Sequence, residues 1–289
     1  MGAALQSQSV ARLSYSLNTP EILIATVFTL LVFLVVVGGV KKVESATAKI
    51  IPIATIVYII MCTCVILLNV QRLPSALADI MRGAFDFKSA IGGVSTYSAF
   101  SAIKEGYLRG LLSNEAGAGT SSMAESRADI PPSDVGLLGV LEILFDTMLL
   151  CTLTAFSVLL VCDDPSGDGM KIVSDTFKNA LGNFSEPLLF ILIFAFAYST
   201  VVCWYYYGTL SCEFVFGKKR TAKFTAVFLA FVFVGFLIPE SILITLSDSF
   251  LFVMSVISLF AVLKNSERIV RLSENCGLLK AKRSKKSDV

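Results

Sequence analysis

The sequence predicts an all-α integral membrane protein, a bundle of about seven transmembrane helices of which one is discontinuous. Three observations lead there. Hydrophobic residues fill 55% of the 289 positions and charged ones 16%, giving a mean hydropathy of +0.77. A soluble domain of this size has no interior able to hide so much apolar surface. Uncharged runs reach the roughly twenty residues that a helix rising ~1.5 Å per residue needs to cross ~30 Å of hydrocarbon. Lysine and arginine, finally, crowd into alternate gaps between those runs. The net charge of +2 gives no sign of a nucleic-acid partner.

Taken in order, residues 1 to 19 are mixed and polar and lack the order of a signal peptide. Ile22 to Val40 is an uncharged run of nineteen residues closed by Gly38-Gly39 and Lys41-Lys42, and Ile50 to Val70 is a second of twenty-one. Both read as membrane helices. From Arg72 to Lys88, Leu73, Leu77, Ile80 and Met81 recur at helical spacing against Arg72, Asp79 and Arg82, the pattern of a short interfacial helix. Ala90 to Ala124 is weakly apolar and holds the most polar interruption in the chain. Val135 to Cys162 is a strong span carrying Glu142 and Asp146, two acids at i and i+4 on one helix face. Those acids read either as a cation or proton path or as hydrogen-bonding groups for a neighbouring helix; Asp248, in the last span, is a similar case. Met170 to Leu181 is another short amphipathic helix. Three spans remain, at Pro187 to Cys212, Phe224 to Pro239 and Ser241 to Leu263, before a basic tail.

The basic residues decide whether the interrupted segment crosses. If it does, one side carries Lys41, Lys42, Lys49, Arg127, the Lys218–Lys223 cluster and the tail, sixteen in all, against six on the other. If it does not, the asymmetry collapses. The segment is therefore read as crossing, with residues 1–263 as the transmembrane bundle and 264–289 as a basic cytoplasmic tail facing lipid headgroups.

Several chemistries are excluded. With no histidine in the chain, a Ser-His-Asp triad and every His-containing metal site are ruled out. Ser113 and Ser122 have no base at suitable spacing, so an enzyme is not expected. The seven cysteines form no CxxC pair and lie mostly in or beside apolar runs; they read as small apolar fillers rather than a disulfide or metal framework.

The interruption is "GLLSNEAGAGTSS", residues 110 to 122. Gly117 and Gly119 each weaken a helix by about 1 kcal/mol relative to alanine, and Asn114 and Glu115 are costly in hydrocarbon unless they face a polar site. Both features together point to a broken helix, whose unpaired N–H and C=O groups suit an amino acid zwitterion and Na⁺. A packing face of small residues, Ala116, Gly117 and Gly119, against a neighbouring helix is the other reading. Composition leaves both open.

The same stretch, "RGLLSNEAGAGTS", closely resembles the GLFSNEAGMGSAP signature of the alanine or glycine:cation symporter family. The likeness runs along nearly the whole chain: "GAALQSQSVA" resembles GNMVQANSIA, "LEILFDTMLLCTLTA" resembles EVFIDT…CTLTA, and "AYSTVVCWYYYG" resembles FSTILGWSYYG. Departures are Leu112 for Phe, Ala118 for Met, Thr120-Ser121-Ser122 for Ser-Ala-Pro, and Ile257-Ser258 for the Pro-Asn of an MAIPNL-like stretch.

The resemblance implies a partial LeuT-like inverted-repeat bundle in which Ile22–Val40 and Ile50–Val70 are core helices four and five, the motif is helix six, and the last three spans are eight to ten. Helices one, two and most or all of three have no counterpart in this stretch. It implies a substrate site of Gln6, Leu112, Ser113, Asn114, Gly117, Thr200 and Trp204, with Asn114, Glu115, Gly119, Ser199 and Thr200 at the helix break or a Na⁺ ion. Without it, Trp204 would read as an interfacial ring beside Tyr205–Tyr207. The function implied is sodium-coupled symport of alanine or glycine across the plasma or inner membrane, without cofactor, by this polypeptide together with a second one supplying the first helices. A non-transporting fragment or membrane scaffold is the alternative.

Overall fold

The computed structural model describes residues 2–16, 19–38, 40–85, 93–126, 129–163 and 167–274. Cys276, the basic residues Lys88 and Arg127, and residues 275–289 of the expected tail lie outside them. Every regular element among the described residues is helical. The elements are α1 (Gly2–Ser16), α2 (Glu21–Val36), α3 (Val40–Leu68), α4 (Leu73–Phe85), α5 (Gly93–Asn114), α6 (Thr120–Glu125) and α7 (Pro132–Ile143). A π-helical stretch, Leu144–Cys151, joins α7 to α8 (Thr152–Val161). After it come α9 (Gly169–Leu181), α10 (Ser185–Phe216), α11 (Thr221–Gly235), α12 (Glu240–Lys264) and α13 (Ser266–Glu274).

Among the described residues, four helical stretches are long and apolar enough to cross a membrane: Thr47–Leu68, Pro132–Val161, Ser185–Phe216 and Glu240–Lys264. The first expected span is shorter than its apolar run. α2 stops at Val36 because Gly38-Gly39 follows, and α3 starts at Val40 and includes Lys41, Lys42 and Lys49 before its apolar part. The two amphipathic expectations appear as α4 and α9. Asp168 caps α9 by accepting from the Met170 N–H at 3.0 Å.

By internal contacts the described chain falls into two compact units, residues 1–101 with 150–247 and residues 102–149 with 248–289. In the first, α10 is central: α1, α2, α3, α9 and α11 all touch it. In keeping with that position, 44% of its most apolar stretch is buried, against 22% for the span in α3. Phe28 of α2 is fully buried and meets Phe194, Tyr198 and Phe236 edge-on at 5.2, 6.3 and 5.6 Å. Such pairs contribute about 0.5–1.5 kcal/mol each beyond their buried area. Polar ties run between the same helices. Tyr198 donates to Leu31 O at 3.3 Å, and the Tyr58 hydroxyl on α3 meets Thr154 Oγ1 on α8 at 2.7 Å. Arg12 of α1 is paired with Asp168 and with Glu240.

Close approach of α1 and α11 depends on a missing side chain. A Cβ added at Gly235 would lie 2.7 Å from Ala4 Cα and 2.8 Å from Ala4 O, which are backbone atoms that no rotamer change can move. Gly235→Val should therefore destabilise the purified protein by about 1–3 kcal/mol, as overpacking does. Thermal unfolding in detergent reads this as a lowered midpoint; an unchanged midpoint would place α1 elsewhere.

In the second unit, Arg109 of α5 pairs with Asp248 of α12 at 2.9 Å and with Glu105 one turn earlier at 3.3 Å. α13 packs against α7.

Candidate functional site

Helix α5 ends at Asn114 because the next residues leave helical space. Glu115 has φ 50°, Gly117 φ 81° and Gly119 φ 88°. Positive φ is free of penalty for the glycines, but a residue with a Cβ is strained there. The Glu115 N–H still bonds back to Leu111 O at 2.9 Å, and Ala118 N to Glu115 O at 3.0 Å. Past Leu111 the carbonyls of the last α5 turn have no following helical N–H to receive, and this end of a helix carries the negative pole of its dipole.

Asn114 holds the break together. Its Oδ1 accepts from the Ala116 N–H at 2.9 Å, an Asx-type turn, while its Nδ2 donates to Thr147 Oγ1 at 3.3 Å. Thr147 donates in turn toward Asp146 Oδ2 at 3.5 Å, which also accepts from Ser113 Oγ at 2.6 Å. Ser113, Asn114, Thr147 and Asp146 thus form a closed ring between the end of α5 and the π-helical stretch. The short Ser113–Asp146 contact has the length of a charge-assisted O–H···O⁻ bond. A π-helical stretch widens the helix and redirects its side chains, and such stretches recur at functional sites; here it delivers two consecutive polar residues to the break.

Around the ring stand further polar groups. The Glu115 carboxylate lies within electrostatic reach of Thr120 and Glu142, and Glu142 within reach of Glu125 and Asp146. Thr120, the first residue of α6, is 2% exposed. A Cβ at Gly119 would come 3.7 Å from Ser258 of α12, so the departure at Ser258 faces the break. Leu112 is half-buried beside it. Among the described residues no three His, Cys, Asp or Glu side chains are placed to hold a metal ion. A cation here would meet carbonyls, hydroxyls and single carboxylates, the hard-oxygen set that suits Na⁺ at a helix break.

The remaining expected site residues belong to the other unit. Trp204 stacks over α1: a Cβ at Gly2 would fall 2.8 Å from Trp204 Cε2. Gln6 is one turn along from Gly2, on the same side of α1. Trp204 also contacts Tyr207 edge-on at 6.1 Å. It is therefore a packed ring rather than one standing free. Thr200 lies one turn before it and is half-buried, while Ser199 is 2% exposed and donates back to Phe196 O at 2.9 Å. Within the first unit Trp204 packs at Gly2, one turn from Gln6 on α1; within the second, Leu112, Ser113, Asn114, Glu115, Gly117 and Gly119 lie along the one helix break.

Two contributors were missed in the sequence. Thr147 adjoins the acid that drew attention, and its hydroxyl within an apolar span was the available signal. Arg109, the partner of Asp248, was readable as a cation just ahead of the motif, in the segment expected to cross.

Comparison with known proteins gives related transporters. The amino-acid carrier protein AlsT of Bacillus subtilis is 30% identical over 262 residues, covering 90% of this chain and 56% of that protein. The probable sodium/glutamine symporter GlnT of the same organism is 29% identical over 248 residues, 84% of this chain and 50% of that protein. The sodium/alanine symporter AgcS of Methanococcus maripaludis is 27% identical over 243 residues, 81% and 52% respectively. The chain spans about half the length of the curated relatives it matches. The family model that describes sodium:alanine symporters matches residues 1–287, and the chain belongs to the sodium:alanine symporter family, a family of membrane transporters and not of enzymes.

Proposed function

We propose that the protein carries part of the substrate and ion site of a sodium-coupled symporter for small neutral amino acids, alanine or glycine, in a multi-pass cell-membrane bundle. The observation that carries this reading is the ring of Ser113, Asn114, Asp146 and Thr147 at a helix break. Four polar side chains, glycine conformations and a strained Glu115 at one place in an apolar chain are accounted for by a polar ligand between the half-helices. The α5 carbonyls with Ser113 and Glu115 face the Na⁺, and Gly117 and Gly119 let the backbone approach the amino acid. Leu112 is an apolar wall near its side chain. Within the first unit by itself, Gln6, Ser199, Thr200 and Trp204 offer amide, hydroxyl and aromatic groups of the kind an amino acid or Na⁺ would use. Seven crossings in a LeuT-like arrangement, with residues 1–263 as bundle and 264–289 as a cytoplasmic tail, complete the proposal.

The relatives divide on substrate: one is named for alanine and one for glutamine. The test is accumulation of labelled alanine, glycine and glutamine in proteoliposomes or cells containing the protein together with a chain that supplies the first helices of the bundle, with Na⁺ or choline outside. Na⁺-dependent accumulation of alanine or glycine supports the reading, glutamine alone would redirect its substrate, and equal uptake in choline would remove Na⁺. Retention in the membrane with no uptake of any of the three would favour a scaffold. Leu112→Phe should change apparent affinity or the alanine/glycine ratio several-fold while leaving membrane insertion unaltered, because it replaces an isobutyl wall by a larger flat ring, and even a single methylene in an apolar pocket amounts to about 1–3 kcal/mol.

The proposed topology puts residue 8 outside and residue 284 inside. Impermeant thiol reagent applied to intact cells should label a cysteine at the exposed position 20, ahead of the first span and on the same side, and not one at 284; the opposite result would invert the bundle.

A further inference from the structure

The end of α10 is built unlike a helix end that faces water. Phe214 is 92% exposed, Val215 66% and Phe216 58%. Three consecutive exposed residues sweep more than half the helix circumference, so this last turn stands clear of its neighbours. Gly217, at φ 78°, ends the helix, and a single 3₁₀ turn, Lys218–Arg220, leads into α11. Lys218, Lys219, Arg220 and Lys223 are all exposed, and among the described residues none of them pairs with a carboxylate. The Arg220 guanidinium lies over the Phe216 ring, 5.6 Å from its centroid. Glu213, the nearest acid in sequence, instead accepts the Gly217 N–H through its backbone carbonyl at 3.0 Å.

Below the turn the hairpin is tightly held. Tyr205 stacks on Phe224 at 5.9 Å and its hydroxyl meets Thr225 Oγ1 at 2.8 Å. A Cβ at Gly208 would fall 2.3 Å from Phe224 Cζ, so the two helices are in close contact. The cations and the aromatic turn are thus presented together on a firm support.

The geometry points to a docking site for anionic phospholipid at the α10–α11 turn, with headgroup phosphates held by Lys218, Lys219, Arg220 and Lys223 and acyl chains lying against Phe214, Val215 and Phe216. Charge complementarity commits the site to lipid. A lone aqueous anion would use the cations and leave three large apolar side chains in water, whereas the headgroup–acyl boundary satisfies both at once. Unneutralised cations at the bilayer surface attract acidic lipid within a Debye length.

The test places a bimane fluorophore on Ala222→Cys in an otherwise cysteine-free form of the protein and reads its quenching by lipids with brominated acyl chains. The expected result is preferential quenching by brominated phosphatidylglycerol over phosphatidylcholine, about fivefold or more in relative binding, as four basic residues near an acidic surface imply. Raising salt to about 1 M should largely erase the preference. So should Lys218→Gln, Lys219→Gln, Arg220→Gln and Lys223→Gln combined, while neutralising the basic residues after 274 should leave it intact. Free glycerol phosphate should not compete. Equal quenching by the two lipids, a preference that survives both high salt and the fourfold substitution, or competition by glycerol phosphate would overturn the assignment. So would cross-linking between two copies through the thiol introduced by Ala222→Cys, since the patch would then be a contact between protein chains.

Discussion

Asn114→Ala, assayed with a chain that supplies the first helices, is expected to lower sodium-driven uptake by about a hundredfold or more, to background, with membrane insertion unchanged. The side chain makes two bonds that fix the break, one to the Ala116 N–H and one to Thr147. Leaving either partner unsatisfied in a water-poor site costs about 1–3 kcal/mol, and each 1.4 kcal/mol is tenfold. Asp146→Ala should act similarly, because it removes the acceptor shared by Ser113 and Thr147. Ser122→Ala provides the contrast. Its hydroxyl donates to Gly119 O at 3.2 Å on an exposed side, and uptake should fall no more than a few-fold. The informative partner is Glu115→Gly. A left-handed φ of 50° strains any residue with a Cβ, so glycine should leave stability equal or higher by about 0.5–1 kcal/mol. Uptake should nevertheless be lost with the carboxylate. Gain of stability with full transport would make Glu115 a cap and nothing more.

The second large effect concerns Arg109 and Asp248. Arg109→Ala strands a carboxylate in a membrane helix, where an unpaired Asp costs about 2.5–3.5 kcal/mol near the centre. Thermal unfolding should show a marked loss for the single substitution and recovery of more than half of it for Arg109→Ala with Asp248→Ala, since the less exposed carboxylate is then gone and only the more exposed Glu105 has lost its partner. The exchanged pair, Arg109→Asp with Asp248→Arg, should also recover stability. If the double substitution is simply the sum of the singles, the 2.9 Å pair does not couple the two helices.

How legible this was depends on the kind of signal. Apolar runs of membrane length marked the four long helices, because lipid imposes a length and a composition that no tertiary contact can override. The amphipathic patterns of α4 and α9 were legible for the same reason, each face meeting a different environment. The break at Asn114 was legible from glycines and polar residues in an apolar context, which are expensive unless used. The π-helical stretch was not: LFDTMLLC reads as ordinary helix, and only the hydrogen bonds from α5 reveal that Asp146 and Thr147 have been turned toward Ser113 and Asn114. Pairings distant in sequence, such as Arg109 with Asp248 or Gly2 beneath Trp204, are invisible to periodicity, which describes one helix at a time. The small residues at Gly208 and Gly235 were likewise silent, since their role depends on which neighbour comes close.

The most direct test of the central claim is protection of the break by its ligand. With the seven native cysteines replaced, Leu112→Cys puts a thiol beside Ser113 and Asn114 without removing any bond of the ring. Its rate of reaction with a small thiol reagent is measured in membranes with choline, with Na⁺, and with Na⁺ plus alanine or glycine. A ligand seated at the end of α5 should slow the reaction about tenfold or more when Na⁺ and amino acid are both present, and Asn114→Ala should abolish the protection. Equal rates in all three conditions, in a protein that transports, would put the substrate elsewhere and contradict the account.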